Sequence, residues 1–173
     1  MCTNLSPDAM NNFFAVLGLN ARKNIKPMNS YFKYLNCPAT NSIFLQPVTE
    51  HEIIQTVNQI PPKFSCGFDE IPMKIIKSVI KTIALPLTKI FDKSFVTGIF
   101  PDLMKIARVC PIYKSGDVQD IKNYRPISLL PSFSKIIEKL MHKRLLSFLQ
   151  KFNVLHNSQH GFQPNKSTSS GLA

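Results

Sequence analysis

The sequence predicts an α+β fold in which helical N-terminal segments precede one β-hairpin and a long amphipathic helix. Three observations carry this. Apolar residues recur at helical spacing between Thr49 and Phe95. Two short runs rich in strand formers, 107–113 and 124–130, flank the polar turn Lys114-Ser-Gly-Asp117. From Ser132 the apolar residues Ile136, Ile137, Leu140, Met141, Leu145, Phe148 and Leu149 fall on one side, and Lys135, Lys139 and Lys143 share much of another. Three regions follow: a linker-like segment 1–48, a helical lead-in 49–106, and a hairpin-and-helix region 107–173.

In chain order, Ser6 is placed to cap a short helix with Pro7 in its first turn and with Met10, Phe13, Phe14 and Leu17 as its apolar residues. Asn20 to Gln46 is polar and reads as a linker. Thr49 and Glu52 have the spacing of a capping box ahead of Ile53, Ile54, Val57 and Ile60, and Pro61-Pro62 ends that helix. Ser65-Cys-Gly-Phe-Asp-Glu-Ile-Pro72 is a loop into a second helix bearing Ile75, Ile76, Val79, Ile80 and Ile83. Leu85-Pro86 breaks or kinks that pattern, Leu87, Ile90, Phe91 and Phe95 continue it, and Gly98 is its stop. Pro126 inside the second strand argues for an edge or a bulge. Asn153 to Ala173 reads as loop.

The 173 residues allow one domain with at most a small appendage. The formal charge is +11, from 21 Lys and Arg against 10 Asp and Glu. Eleven of the cations and four of the acids lie from Asp102 onward, a balance of +7. Such an excess favours a polyanionic partner, nucleic acid first and a membrane surface second; the plainer reading is a solvated basic surface. Cys2, Cys37, Cys66 and Cys110 are widely spaced, which fits reduced thiols inside a cell better than zinc or disulfides. No apolar run approaches the roughly 18 residues of a membrane span, and the N-terminus has no signal-peptide pattern. The expected location is intracellular, nucleus or cytoplasm.

Candidate chemistry is sparse. Asp117 and Asp120 are the nearest approach to the aspartate cluster that holds two divalent metals, but they sit in a polar turn, where solubility and turn formation explain them. Asp69-Glu70 suits the start of a helix. His156 and His160 are four apart in a segment that is a poor helix, with no Cys near. Lys139, Lys143 and Arg144 read first as a solvated helix face and second as phosphate contacts. Lys114 and Arg125 differ. They flank one turn on opposite strands, so a hairpin brings both cations to one edge, where they could hold a triphosphate. The competing reading has Arg125 paired with Asp117 or Asp120, stiffening the turn.

The order of these motifs resembles the opening of the reverse transcriptases of non-LTR (LINE-type) retrotransposons. The resemblance rests on Ser65-Cys-Gly-Phe-Asp-Glu-Ile-Pro72, on Gly98 to Lys114, on Asn123-Tyr-Arg-Pro-Ile-Ser-Leu-Leu-Pro131 followed by Ser134-Lys-Ile-Ile-Glu-Lys139 and Arg144-Leu145, and on Gln159-His-Gly-Phe-Gln-Pro-Asn-Lys-Ser-Thr168. It spans about residues 50–173, with a weaker likeness from Leu5 to Gly18 to the segment between endonuclease and polymerase. Leu103 stands where the family has Trp, and Gln163 where it has Arg.

The resemblance implies that region 107–173 is the N-terminal part of a reverse-transcriptase domain, a partial fingers region with palm and thumb absent. It implies RNA-directed DNA polymerisation, with an RNA template, a DNA primer and dNTP as partners beside the palm and thumb of the same polyprotein. Lys114 and Arg125 would contact dNTP, and Gly161, Phe162 and Lys166 would contact nucleic acid. Magnesium serves the family. Its catalytic aspartates would lie beyond Ala173, so no catalytic or metal residue is assigned and the segment by itself is expected to be inactive. The alternative is a non-enzymatic, basic nucleic-acid-binding module derived from the fingers. Fingers without a palm would leave apolar faces uncovered, notably Ile136, Leu140 and Phe148, and would promote association.

Overall fold

The protein is described by a computed structural model covering residues 5–23, 25, 41–156, 158–163, 166, 167 and 169. Its elements are α1 (Pro7–Lys23), α2 (Glu50–Gln59), α3 (Met73–Thr97), α4 (Asp102–Lys105), β1 (Arg108–Tyr113), a 3-10 turn (Ile121–Asn123), β2 (Tyr124–Leu129) and α5 (Ser132–Lys151). This is a mixed α+β chain with one antiparallel pair, β1 against β2, as its sheet among the described residues. Most of the stretch read as linker, residues 26–40, lies outside them.

Local chemistry starts and stops the helices. Ser6 Oγ accepts from Ala9 N at 3.1 Å and caps α1, which runs on past the apolar stretch that predicted it and buries none of its side chains. Thr49 Oγ1 accepts from Glu52 N at 3.2 Å and caps α2. The Glu52 carboxylate does not return to the cap, as the motif suggested, because Arg144 holds it. Pro86 neither breaks nor ends α3, which is helical from Met73 to Thr97. Proline in a helix interior costs about 3 kcal/mol. Here Ile80, Ala84, Leu87 and Phe91 are buried on both sides of it, so core packing holds the helix through the missing hydrogen bond. Gly98, in the left-handed region at φ 68°, terminates it.

The core lies where α2, α3 and α5 meet. Ile53 and Val57 from α2, Ile76, Ile80, Leu87 and Phe91 from α3, and Ile136, Ile137 and Leu140 from α5 are its principal members. Each fully buried side chain of this size contributes about 1.5–3 kcal/mol. The expectation that Ile136 and Leu140 are uncovered is therefore corrected: both are fully buried without any palm, and Phe148 is half-buried. The exposed apolar residues of α5 are Met141 and Leu145.

One ion pair ties the layers together. The Arg144 guanidinium donates to both Glu52 oxygens (3.1 and 2.9 Å), to the carbonyls of Gln46 (2.9 Å) and Pro47 (3.1 Å), and to Leu140 O (3.1 Å). It also lies 5.2 Å from the Phe95 ring centre. The two side chains are only 9% and 18% exposed. Arg144 is thus a structural clamp rather than a solvated cation. Burial alone would raise the Glu52 pKa; the Arg144 hydrogen bonds and charge, with Lys143 behind them, outweigh it and hold the carboxyl below its ordinary value.

Two further joints fix the hairpin to this core. Ser132 Oγ donates to Ile71 O at 2.8 Å, and Ser134 Oγ to Met104 O at 2.6 Å. Gly67 packs so closely that a Cβ would sit 2.6 Å from Pro131 N and 2.8 Å from the Leu130 carbonyl carbon. The two most distinctive stretches of sequence, 65–72 and 123–131, therefore meet backbone to backbone.

Gly67→Ala is expected to destabilise the fold by about 1–3 kcal/mol in chemical denaturation, because backbone, not a flexible side chain, must move. Arg144→Ala is expected to lose about 3 kcal/mol, and Arg144→Lys to recover little of it, since an ammonium cannot form the fork. A depressed carboxylate pKa stabilises fully above its unfolded value and is lost as pH falls through the folded value. The gap between wild type and Arg144→Ala should accordingly be constant near neutrality and narrow below about pH 4.

Candidate nucleic-acid interface

The hairpin is the exposed element. No residue of β1 or β2 is buried. Its register pairs Arg108 with Leu129, Ile112 with Arg125 and Tyr113 with Tyr124. Lys114 N donates to Asn123 O at 2.8 Å and carries the ladder one residue further. Side chains alternate along a strand, so Arg108, Cys110, Ile112 and Lys114 share a face with Leu129, Ile127 and Arg125. Lys114 and Arg125 are diagonal neighbours there, with Cα atoms roughly 7–8 Å apart. The sequence placed these two at one edge; the register places them on one face.

The same register explains the prolines. Pro111 and Pro126 are direct partners, at a position whose N–H groups point away from the partner strand. Neither disturbs the ladder, and each removes a donor from an outer edge, which discourages pairing with another strand. Pro126 is on an edge, with no bulge.

The ten-residue loop 114–123 is held from both sides. Tyr113 Oη donates to Gly116 O (2.6 Å) and Tyr124 Oη to Val118 O (3.0 Å), while their rings meet edge-on at 5.7 Å. Asn123 Nδ2 donates to Asp117 O at 2.9 Å. Gly116 has φ 98°, which favours glycine, and a Cβ there would lie 2.6 Å from Asn123 Nδ2 and push that side chain off its bond to Asp117 O. Asp117 and Asp120 accept from Gln119 N and Lys122 N. Both carboxylates cap turns; neither pairs with Arg125. Lys114 and Arg125 have no ion-pair partner among the described residues.

The sequence reading missed Arg108. It lies on the face of Lys114 and Arg125 and donates from Nη2 to Cys66 O at 3.3 Å. Its signal was parity, since 108, 112 and 114 alternate to one side of a strand.

The second predicted group is assembled separately. Gly161 O accepts from Gln159 Nε2 at 3.1 Å, and Lys166 Nζ donates to Gln159 O at 3.4 Å. Phe162 is fully exposed at φ 60°, an unfavourable conformation for an aromatic residue. Gly161, Phe162 and Gln163 border an open hollow of about 320 Å³ whose floor includes Leu145, Leu149 and Val154. Residues 164, 165 and 168 of this predicted loop lie outside the described set. Leu103, where the resemblance has Trp, is exposed on α4.

The chain is 31% identical over 135 residues to a probable RNA-directed DNA polymerase from transposon BS of Drosophila melanogaster, covering 78% of this chain and 15% of that protein. It is 33% identical over 132 residues to the RNA-directed DNA polymerase from mobile element jockey of the same organism, covering 76% and 14%. A probable RNA-directed DNA polymerase from its transposon X-element is 30% identical over 122 residues, covering 70% and 13%. The chain belongs to the non-LTR retrotransposon reverse transcriptases. It spans about one seventh of the length of these curated relatives. No family model matches it.

Within this reverse-transcriptase segment no group of three or more His, Cys, Asp or Glu side chains converges among the described residues. Asp117 and Asp120 each accept one backbone amide as turn caps. No helix of the structure is long and apolar enough to cross a membrane among the described residues.

Tyr124→Phe and Tyr113→Phe each remove one tether of the 114–123 loop, worth about 1 kcal/mol. Limited proteolysis should cut this loop several-fold faster in either variant, while the helical circular dichroism stays unchanged.

Proposed function

We propose that this chain is the fingers portion of an RNA-directed DNA polymerase and that Lys114 and Arg125 grip the triphosphate of the incoming dNTP. The observation that supports this most is an inequality within the run Asn123-Tyr124-Arg125. Asn123 and Tyr124 are engaged in holding the loop. Arg125 holds nothing among the described residues, yet it shares a face with Lys114. A guanidinium forks onto phosphate oxygens and an ammonium adds a second point charge. Phe162, fully exposed in the loop that also carries Gly161 and Lys166, offers a ring on which a template base can stack. The segment supplies grip and orientation. Magnesium, where it serves this chemistry, would be held by carboxylates outside this hairpin, whose two acids cap turns.

The alternative, a basic binding module without polymerase context, is favoured by the closed core, which needs no palm to bury Ile136 and Leu140. Of two assays, the first tests the expected inactivity that both readings share and the second separates them. On a primed homopolymer template with magnesium, this chain alone should give no template-dependent incorporation; incorporation above background would overturn the assignment of roles. In a chain that carries this segment together with the palm, Arg125→Ala and Lys114→Ala should each raise the KM for dNTP roughly tenfold or more, the range of a lost charge-assisted hydrogen bond. Template affinity should change far less. Arg125→Lys should resemble Arg125→Ala more than wild type. An unchanged dNTP dependence in both alanine variants would reduce the pair to surface cations and favour the binding module.

A further inference from the structure

Lys74, Lys77 and Lys81 recur at spacings of three and four, so they line one side of the first half of α3. Lys74 lies in the first turn, where the backbone dipole is itself positive and disfavours a cation. The first turn has no acid, and Pro72 offers no capping side chain. None of the three lysines has an ion-pair partner among the described residues. Lys77 Nζ reaches Asn58 O at 2.9 Å, and Lys74 Nζ lies 4.8 Å from the centre of the Phe64 ring. Neither contact neutralises the charge, so the ammonium groups stay available to an anion.

Phe64 itself is 72% exposed. It follows Lys63 in the loop after α2, and its ring is pinned beneath an ammonium rather than folded inward. Two residues on, Cys66 O receives the Arg108 guanidinium. Arg108 in turn shares a hairpin face with Arg125 and Lys114. The cations therefore follow one another: Lys114 and Arg125 near the hairpin tip, Arg108 at its base, then Phe64 with Lys74, then Lys77 and Lys81. The strand portion is about 20 Å long and the helical portion about 10 Å, room for several nucleotides.

We propose that this track seats a single polynucleotide strand, with phosphates along Arg108 and the α3 lysines and one base on Phe64. Charge alone would also suit an anionic membrane surface, but an isolated, presented aromatic ring within a line of cations is the arrangement that takes up bases. The proposal extends the hairpin reading and stands on it for the origin of the track. The α3 part is measured with no dNTP present, so failure of the hairpin reading appears in dNTP dependence and failure of this one in strand binding.

The test uses the whole chain, a labelled oligo(U) of about 20 nucleotides and fluorescence anisotropy over a range of salt. The triple variant Lys74→Gln, Lys77→Gln, Lys81→Gln should flatten the slope of log affinity against log salt by about 2, three contacts at roughly 0.7 each. Lys81→Glu, whose side chain has no partner among the described residues to lose, should weaken binding in the same direction. Phe64→Ala should weaken binding about fivefold with the slope kept, as for one lost base stack. Lys89→Gln with Lys93→Gln, from elsewhere on the same helix, should leave the slope as it was. An unchanged slope in the triple variant would overturn the proposal. So would an equal loss in the Lys89 and Lys93 variant, or a loss confined to binding of phosphatidylserine vesicles while oligo(U) binding persists.

Discussion

The ion pair between Arg144 and Glu52 is the constraint on which the rest of the structure depends. One guanidinium satisfies the carboxylate of α2, two carbonyls of the segment that leads into α2, and a carbonyl of its own helix, while its flat face covers Phe95 of α3. All five donors of the group are engaged. Burying either charge alone would be strongly unfavourable. The arrangement is stable because each desolvated group finds its partners in a different element, which makes the pair a condition on how three helices meet.

The consequence reaches the hairpin. Two exposed strands are marginal by themselves, and none of their side chains is buried. Order comes from both ends. At the tip, two tyrosine hydroxyls and an asparagine amide hold the loop. At the base, Ser132 and Ser134 bond α5 to the loop before α3 and to α4, and Gly67 lets two backbones touch. Because α5 is also the helix that carries Arg144, the direction of the hairpin is set by the core. An arm held at both ends, with its surface left to exposed side chains, can present cations to a ligand without a stability role for those cations.

This bears on what the family resemblance means physically. Much of the motif sequence proves to be joinery. Gly67 makes room, Asn123 and Tyr124 brace a loop, and Pro126 blunts an edge. Once those roles are subtracted, Arg125 and Lys114 remain as polar side chains without a structural task among the described residues. Such residues are free to meet a ligand, because no packing or hydrogen bond among the described residues engages their charged groups.

The sequence by itself determined the longer elements. Helical periodicity, the Thr49 and Ser6 caps, the Gly98 stop and the pair of strand-forming runs all act within a few residues, and local backbone chemistry is enough to place them. It also determined that the region is basic and that Lys114 and Arg125 belong to one hairpin. It misjudged what depends on distant partners. Pro86 lies inside an unbroken helix because burial on either side holds it there. Glu52 left its capping box and Arg144 left the solvated face because each is within reach of the other across 92 residues of chain. Ile136 and Leu140 are covered because α2 and α3 fold over them. Arg108 joined the cationic face through strand register, and Phe64 came to lie beneath Lys74 through a loop whose path no short-range signal specifies. Local propensity decides which element a residue enters; only tertiary packing decides which charges are neutralised and which are left facing solvent.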